Sequence, residues 1–188
     1  YRYEQNGSGF GDRASPVRFA NLWRRNLPPF ATPCAVAERR GCDRHPVDAT
    51  TEDGRLTLLS YVWPGQAERF ALLDAALGLA GTDPVPIDRA EIPDWLHSQL
   101  AEPAPERVTV VFHSVVWQYL TDAERAAVTR TLDAAGDRAS AAAPLAWLRL
   151  ESTPDLAYAE LRLTVWPGAR ERLLATAGFH VGPVTWMA

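Results

Sequence analysis

The sequence predicts an α/β fold built on a mostly parallel sheet, and three observations carry that prediction. Strand-like and helix-like patterns alternate through the middle of the chain. The run "RVTVVF" (107–112) is dense in β-branched residues, and a helical pattern with its own start signal follows it. The chain then ends in several strand patterns. Helices between the early strands favour parallel neighbours, and the last two strands are expected to run antiparallel.

The elements follow in order. Residues 1–33 read as irregular, with turn chemistry in "NGSGFGD" (6–12) and a Pro-Pro break at 28–29. "CAVAERRGCD" (34–43) opens apolar and reads as a strand, and "RHPVDATTEDGR" (44–55) is polar and rich in turn formers. "LTLLSYVW" (56–63) fits helix or strand, because short apolar runs are ambiguous, and Pro64-Gly65 stops it. "QAERFALLDAALGLA" (66–80) is a helix, with Phe70, Leu73, Ala76, Leu77 and Ala80 at three- and four-residue steps and Gly81 as C-cap. "VPI" (85–87) reads as a short strand and "EIPDWLHSQLAE" (91–102) as a helix with Pro93 in its first turn.

The strand at 107–112 comes next, then a helical turn in "VVWQYL". A helix over 121–136 starts on a Thr121/Glu124 capping box and ends at Gly136. "PLAWLRLES" (144–152) and "AELRLTVW" (159–166) are strands, the second alternating Leu161, Leu163 and Val165 with Arg162 and Thr164. "ARERLLATAG" (169–178) reads as a short helix and "HVGPVTWM" (180–187) as a last strand. The near-repeat "YVWPGQAER" (61–69) and "TVWPGARER" (164–172) has unmatched flanks, so it is not a duplicated domain. In each copy Trp-Pro-Gly ends one element and starts a helix, over which Trp63 and Trp166 would pack. The alternative is a pair of tryptophans lining a pocket.

Composition narrows the function classes. At 188 residues the chain is expected to form one α/β domain. The net charge of −4 offers no basic field for nucleic acid. No apolar run is long enough to span a bilayer, so no membrane partner is expected. All 19 basic residues are arginine, which removes Schiff-base catalysis by lysine. Cys34 and Cys42 lack zinc-site spacing and read as two free thiols in a reducing cytoplasm, or else as a disulfide closing the short loop between them. The histidines, His45, His97, His113 and His180, show neither HxH nor HExxH spacing. There is no GxSxG elbow, no phosphate loop and no GxGxxG. "GSGFG" (7–11) has no strand pattern before it and reads as a flexible turn.

In open α/β sheets ligands bind beyond the carboxyl ends of the strands, so the residues at those tips are the candidates. They are Asp43, Asp88, His113 with Ser114, and Glu151 with Ser152. An acid at a strand tip can accept both hydroxyls of a ribose, and one on the next strand can accept an adenine amine. Asp43 and Asp88 suit those two jobs, or else they cap the loops that follow. His113 is either a general base or substrate-orienting donor, or a turn-closing ring with Ser114 as N-cap. A third option is a small-molecule hydrolase using His113 with Asp88, with Ser114 as its nucleophile.

The stretches "GCDRHPVDATTEDGRLTLLSYVWPGQAERFALLDAAL", "VTVVFHSVVWQYLTDAER", "PLAWLRLE" and "ELRLTVWPGA" together resemble an uncharacterised bacterial family, domain of unknown function 2332. The most specific pieces are Gly41-x-Asp43-x-x-Pro46-x-Asp48, Trp63-Pro64 and Val111-x-His113-Ser114. That family is similar to the class I methyltransferases that use S-adenosylmethionine. The resemblance implies a Rossmann-like sheet with a C-terminal antiparallel hairpin formed by 159–166 and 180–187. It implies Asp43 as the ribose acid, Asp88 as the adenine-side acid, and His113 and Ser114 on the side of an unknown small-molecule substrate. It also implies more chain ahead of "YRYE", carrying the central strand and the methionine-binding loop. Without that strand the sheet is expected to have a gap. Strand addition or a homo-oligomer would close it, or the strands would pair differently. The enzyme reading stands beside a non-catalytic one, a Rossmann-like scaffold or binding module that oligomerises through an open sheet edge.

Overall fold

The computed structural model describes residues 1–24, 26–29, 34–179 and 183–188. Its contacts divide the chain into two units, residues 1–21 with 30–91 and residues 22–29 with 92–188. The whole is a mixed α/β chain.

The first unit opens with β1 (Arg2–Gln5), β2 (Ser8–Gly11) and β3 (Arg18–Ala20) in the order β2-β1-β3. The stretch expected to be irregular is therefore a small sheet. Asn6 and Gly7, at φ 50° and 78°, form the two-residue turn that joins β1 to β2 antiparallel. Alternation puts Tyr3, Phe10 and Phe19 on one face, where Tyr3 stacks on Phe10 at 4.7 Å and on Phe19 at 5.2 Å. So the glycines of "GSGFG" lie in a strand and its turn rather than in a flexible loop.

Next comes β4 (Gly41–Asp43), then α1 (Glu52–Ser60) and α2 (Ala67–Thr82), then β5 (Ile87–Arg89), which pairs with β4 in parallel. The first part of the ambiguous run at 56–63 is helical, to Ser60, because Thr51 starts α1, its side chain accepting from Gly54 N–H at 3.1 Å. Gly54 is buried, and a Cβ there would lie 1.8 Å from the Asp48 carbonyl oxygen. That close approach ties the loop after β4 to the first turn of α1. The α2 helix runs past Gly81 to Thr82. Trp63 is 77% exposed and does not cover a helix start.

The second unit contains α3 (Ile92–Gln99), β6 (Thr109–Ser114), a 3-10 turn (Trp117–Tyr119), α4 (Asp122–Asp137), and then β7 (Leu145–Ser152), β8 (Ala159–Trp166), β9 (Arg170–Ala177) and β10 (Thr185–Trp186). The Thr121/Glu124 capping box is present, and α4 continues one residue past Gly136. The sheet order is β10-β9-β8-β7-β6. Leu96, Leu100, Leu120, Val128, Leu132, Leu145 and Trp166 form the core between the helices and the sheet. Segment 22–29 reaches the β10 end, where Trp23 bridges Val184 and Asn26 bridges Trp186.

Several expectations change here. The sheets are mixed rather than mostly parallel: β1–β3, β4–β5 and β6–β7 are parallel, while β1–β2, β7–β8, β8–β9 and β9–β10 are antiparallel. The expected helix at 169–178 is β9, a strand. A tight turn through a cis Trp166-Pro167 bond, Gly168 and Ala169 sends the chain straight back along β8. Pairing with β8 overrides the helix-forming composition of "ARERLL". The antiparallel hairpin is thus β8 with β9, and residues 185–186 pair on the far side of β9. Trp166 is buried, but it packs on Gly136 of α4 and not on a helix of its own making.

Candidate functional site

His113 and Ser114 are the last two residues of β6 rather than the residues after it. Successive side chains of a strand point to opposite faces, and burial alternates along β6. His113 therefore shares the covered face with Val111, and exposed Ser114 shares the other with Val110 and Phe112. The two are not a nucleophile and its base. Ser114 is not an N-cap either, since Val116 holds that position for the 3-10 turn and Thr121 for α4.

The parallel register sets His113 beside Arg149, with Trp147 and Glu151 before and after it on the same face of β7. The His113 ring is engaged on both sides. Trp147 Nε1–H donates to His113 Nε2 at 3.0 Å, and Nδ1 lies 2.6 Å from Glu151 Oε1. An indole nitrogen only donates, so Nε2 accepts and Nδ1 carries the proton to the carboxylate. Glu151 also accepts from Val116 N–H at 3.1 Å and from Trp117 N–H at 3.3 Å. One carboxylate thus gathers three donors. The Trp117 ring stacks on His113 at 5.5 Å and 13°.

The backbone bends sharply to allow this. Val115, a β-branched residue, sits at φ 52°, a conformation that needs support from its surroundings. Its own N–H bonds Leu150 O at 2.9 Å, and Arg125 Nε holds Trp117 O at 3.0 Å. Next to the cluster the sheet face is charged. The Arg149 guanidinium lies 3.9 Å over the Trp147 ring and pairs with Glu171. Arg162 bonds Glu171 and Glu160, each at 2.7 Å. Burial works to raise the Glu171 carboxyl, but the bonds and charges of Arg162 and Arg149 outweigh it and hold the group below the usual range.

Asp43 and Asp88 lie in the other unit. Asp43 ends β4, exposed, and its Oδ1 accepts from His45 N–H at 2.7 Å. Asp88 sits in the middle of β5 and pairs with Arg40 at 3.2 Å. The register Cys42–Asp88 and Asp43–Arg89 puts the two carboxylates on opposite faces of the β4–β5 ribbon. The Cys42 thiol is pushed up by burial and by the charges of Asp43, Asp88 and Glu91. Cys34 and Cys42 are free thiols. His45 and His97 are exposed, and His180 lies outside the described residues. Among the described residues no group of three His, Cys, Asp or Glu side chains is placed to hold a metal ion.

The strand tips named His113 and Glu151 in the sequence, but not the two tryptophans around them. Trp147 and Trp117 become visible only through the β6–β7 register and the bend at Val115.

A family model described as "Uncharacterized protein conserved in bacteria (DUF2332)" matches residues 1–186. The chain belongs to this family. No curated protein and no solved structure matches it. The match runs through β4, β6 and β7, so Asp43, His113 and Glu151 all lie within the family's extent.

Proposed function

We propose that the chain is a Rossmann-like, methyltransferase-like protein that binds S-adenosylmethionine by its adenosine half at the carboxyl end of β4 and acts on a small molecule. Asp43 carries this reading. It is the last residue of β4, its carboxylate is exposed, and His45 N–H fixes one of its oxygens. A carboxylate so held fits the paired hydroxyls of a ribose. The succession β4, α1, α2, β5, α3, β6, α4, β7, with parallel pairing in β4–β5 and β6–β7, supports it.

The fit covers half of the cofactor. Among the described residues no strand, glycine loop and helix in succession offers N–H groups to a methionyl carboxylate. Asp88 pairs with Arg40 on the opposite face of the β4–β5 ribbon, so in this reading Asp43 holds the ribose without Asp88 on the adenine side. Within the second unit, Ser114, exposed at the end of β6, is the residue proposed for contact with a small molecule, and His113 positions the turn beside it. Titration calorimetry with S-adenosylmethionine tests the reading. Binding of roughly micromolar strength that Asp43→Ala abolishes and Asp43→Glu partly restores is expected. Binding unchanged in Asp43→Ala, or none to the wild type, overturns it.

A second reading has its own observation. β6 ends its sheet with Val110 and Phe112 exposed, which favours a scaffold that assembles through that edge.

A further inference from the structure

We infer that the partner at the β6 edge is a second copy of this chain, paired antiparallel along β6 about a two-fold axis at Phe112. The inference rests on the assembling-scaffold reading and specifies it. The direction of the backbone groups comes first. Thr109 N–H bonds Pro144 O at 3.0 Å and Val115 N–H bonds Leu150 O at 2.9 Å, so the odd-numbered residues of β6 face β7. The N–H and C=O groups of Val110, Phe112 and Ser114 therefore point away from the sheet. The same residues are exposed, Val110 by 49% and Phe112 by 75%.

Edge strands are normally guarded by charge, proline or a bulge. Residues 108–116 contain no Asp, Glu, Lys, Arg or Pro, and their one histidine is turned to Glu151. The opposite end of the same sheet is treated differently, because segment 22–29 bridges β10 there. Among the described residues one edge of this sheet is covered and the other is bare.

The bare edge also states what fits it. An incoming strand must be uncharged and apolar along its length. β6 meets that requirement itself. Edge strands β3, β4 and β5 carry Arg18, Asp43, and Asp88 with Arg89, and β2 is half glycine. A two-fold axis makes two copies of one strand antiparallel and closes the assembly at a dimer. Centred on Phe112, the register uses all three outward residues. Val110 faces Ser114, and the two Phe112 rings meet as a cross-strand aromatic pair. No charged side chain opposes a like charge.

Light scattering on the eluting protein, across a dilution series, tests this together with amide hydrogen exchange. The wild type is expected to show dimer mass, with the amides of Val110, Phe112 and Ser114 protected. Phe112→Lys and, independently, Val110→Lys are expected to shift it to monomer mass and release those amides, with the circular dichroism of the wild type retained. A wild type monomeric at every concentration sinks both the inference and the assembly reading. An oligomer that both lysine variants retain, with those amides unprotected, sinks the inference alone.

Discussion

Both nitrogens of His113 are engaged, which changes the chemistry open to it. A general base needs a lone pair facing its substrate, and the Nε2 lone pair accepts the Trp147 indole instead. The ring acts as a strut between Trp147 and Glu151, and Glu151 is the centre of the cluster. Its removal strands the His113 Nδ1–H and two backbone N–H groups in half-buried surroundings. Glu151→Ala is expected to lower stability by about 2–3 kcal/mol in urea denaturation. Tryptophan emission should also change as Trp117 leaves its stack on His113. Glu151→Gln keeps a single acceptor oxygen, enough for His113 and Val116 but not also for Trp117, whose N–H bonds the other oxygen, so its loss should be smaller than that of Glu151→Ala. The sequence marked His113 and Glu151 as strand tips because each closes an apolar run. It could not show that they bond each other, since that depends on the parallel register of two strands 38 positions apart.

The clearest misreading of an element is β9. "ARERLLATAG" has helix-forming residues, yet the turn before it delivers the chain onto β8, where Glu171 falls between Arg162 and Arg149. The pattern is legible only after β8 is known to have a free side. Because the folded Glu171 carboxyl lies below its ordinary value of 4.5, its contribution is complete above that value. The contribution is lost as pH falls through the lower, folded value. Glu171→Gln is therefore expected to flatten the acid limb of a stability–pH curve measured by denaturation, with its full, constant loss in the neutral region and a difference from the wild type that shrinks in acid. The turn Asn6-Gly7 is the opposite case. An Asn-Gly pair between alternating residues is a hairpin signal, and only the shortness of β1 and β2 hid it. In α4, Gly136→Ala would ordinarily gain about 1 kcal/mol of helix propensity. Here the added Cβ would lie 2.4 Å from the buried Trp166 ring, so a net loss of about 1 kcal/mol or more is expected by thermal melting.

At the scale of the whole molecule, the alternation of helices and strands was legible because each pattern is local. The sheet order was not, because it is set by which strands find each other. β4–β5 and β6–β7 kept the parallel pairing that intervening helices favour, while the chain from β7 to β10 became a meander. No helix of the described residues is long and apolar enough to cross a membrane. The bridge from Trp23 to Val184 ties an early segment to the last strand. Residues 22–29 belong with the second unit, although the first unit continues after them. Neither unit is a continuous stretch of chain, so neither can be cut out or exchanged as a cassette. On a ribosome, Trp23 emerges long before Val184 and must wait for all the residues between them. Closing so long a loop is slow. The edge that segment 22–29 covers is thus the last part of the sheet to be sealed during synthesis.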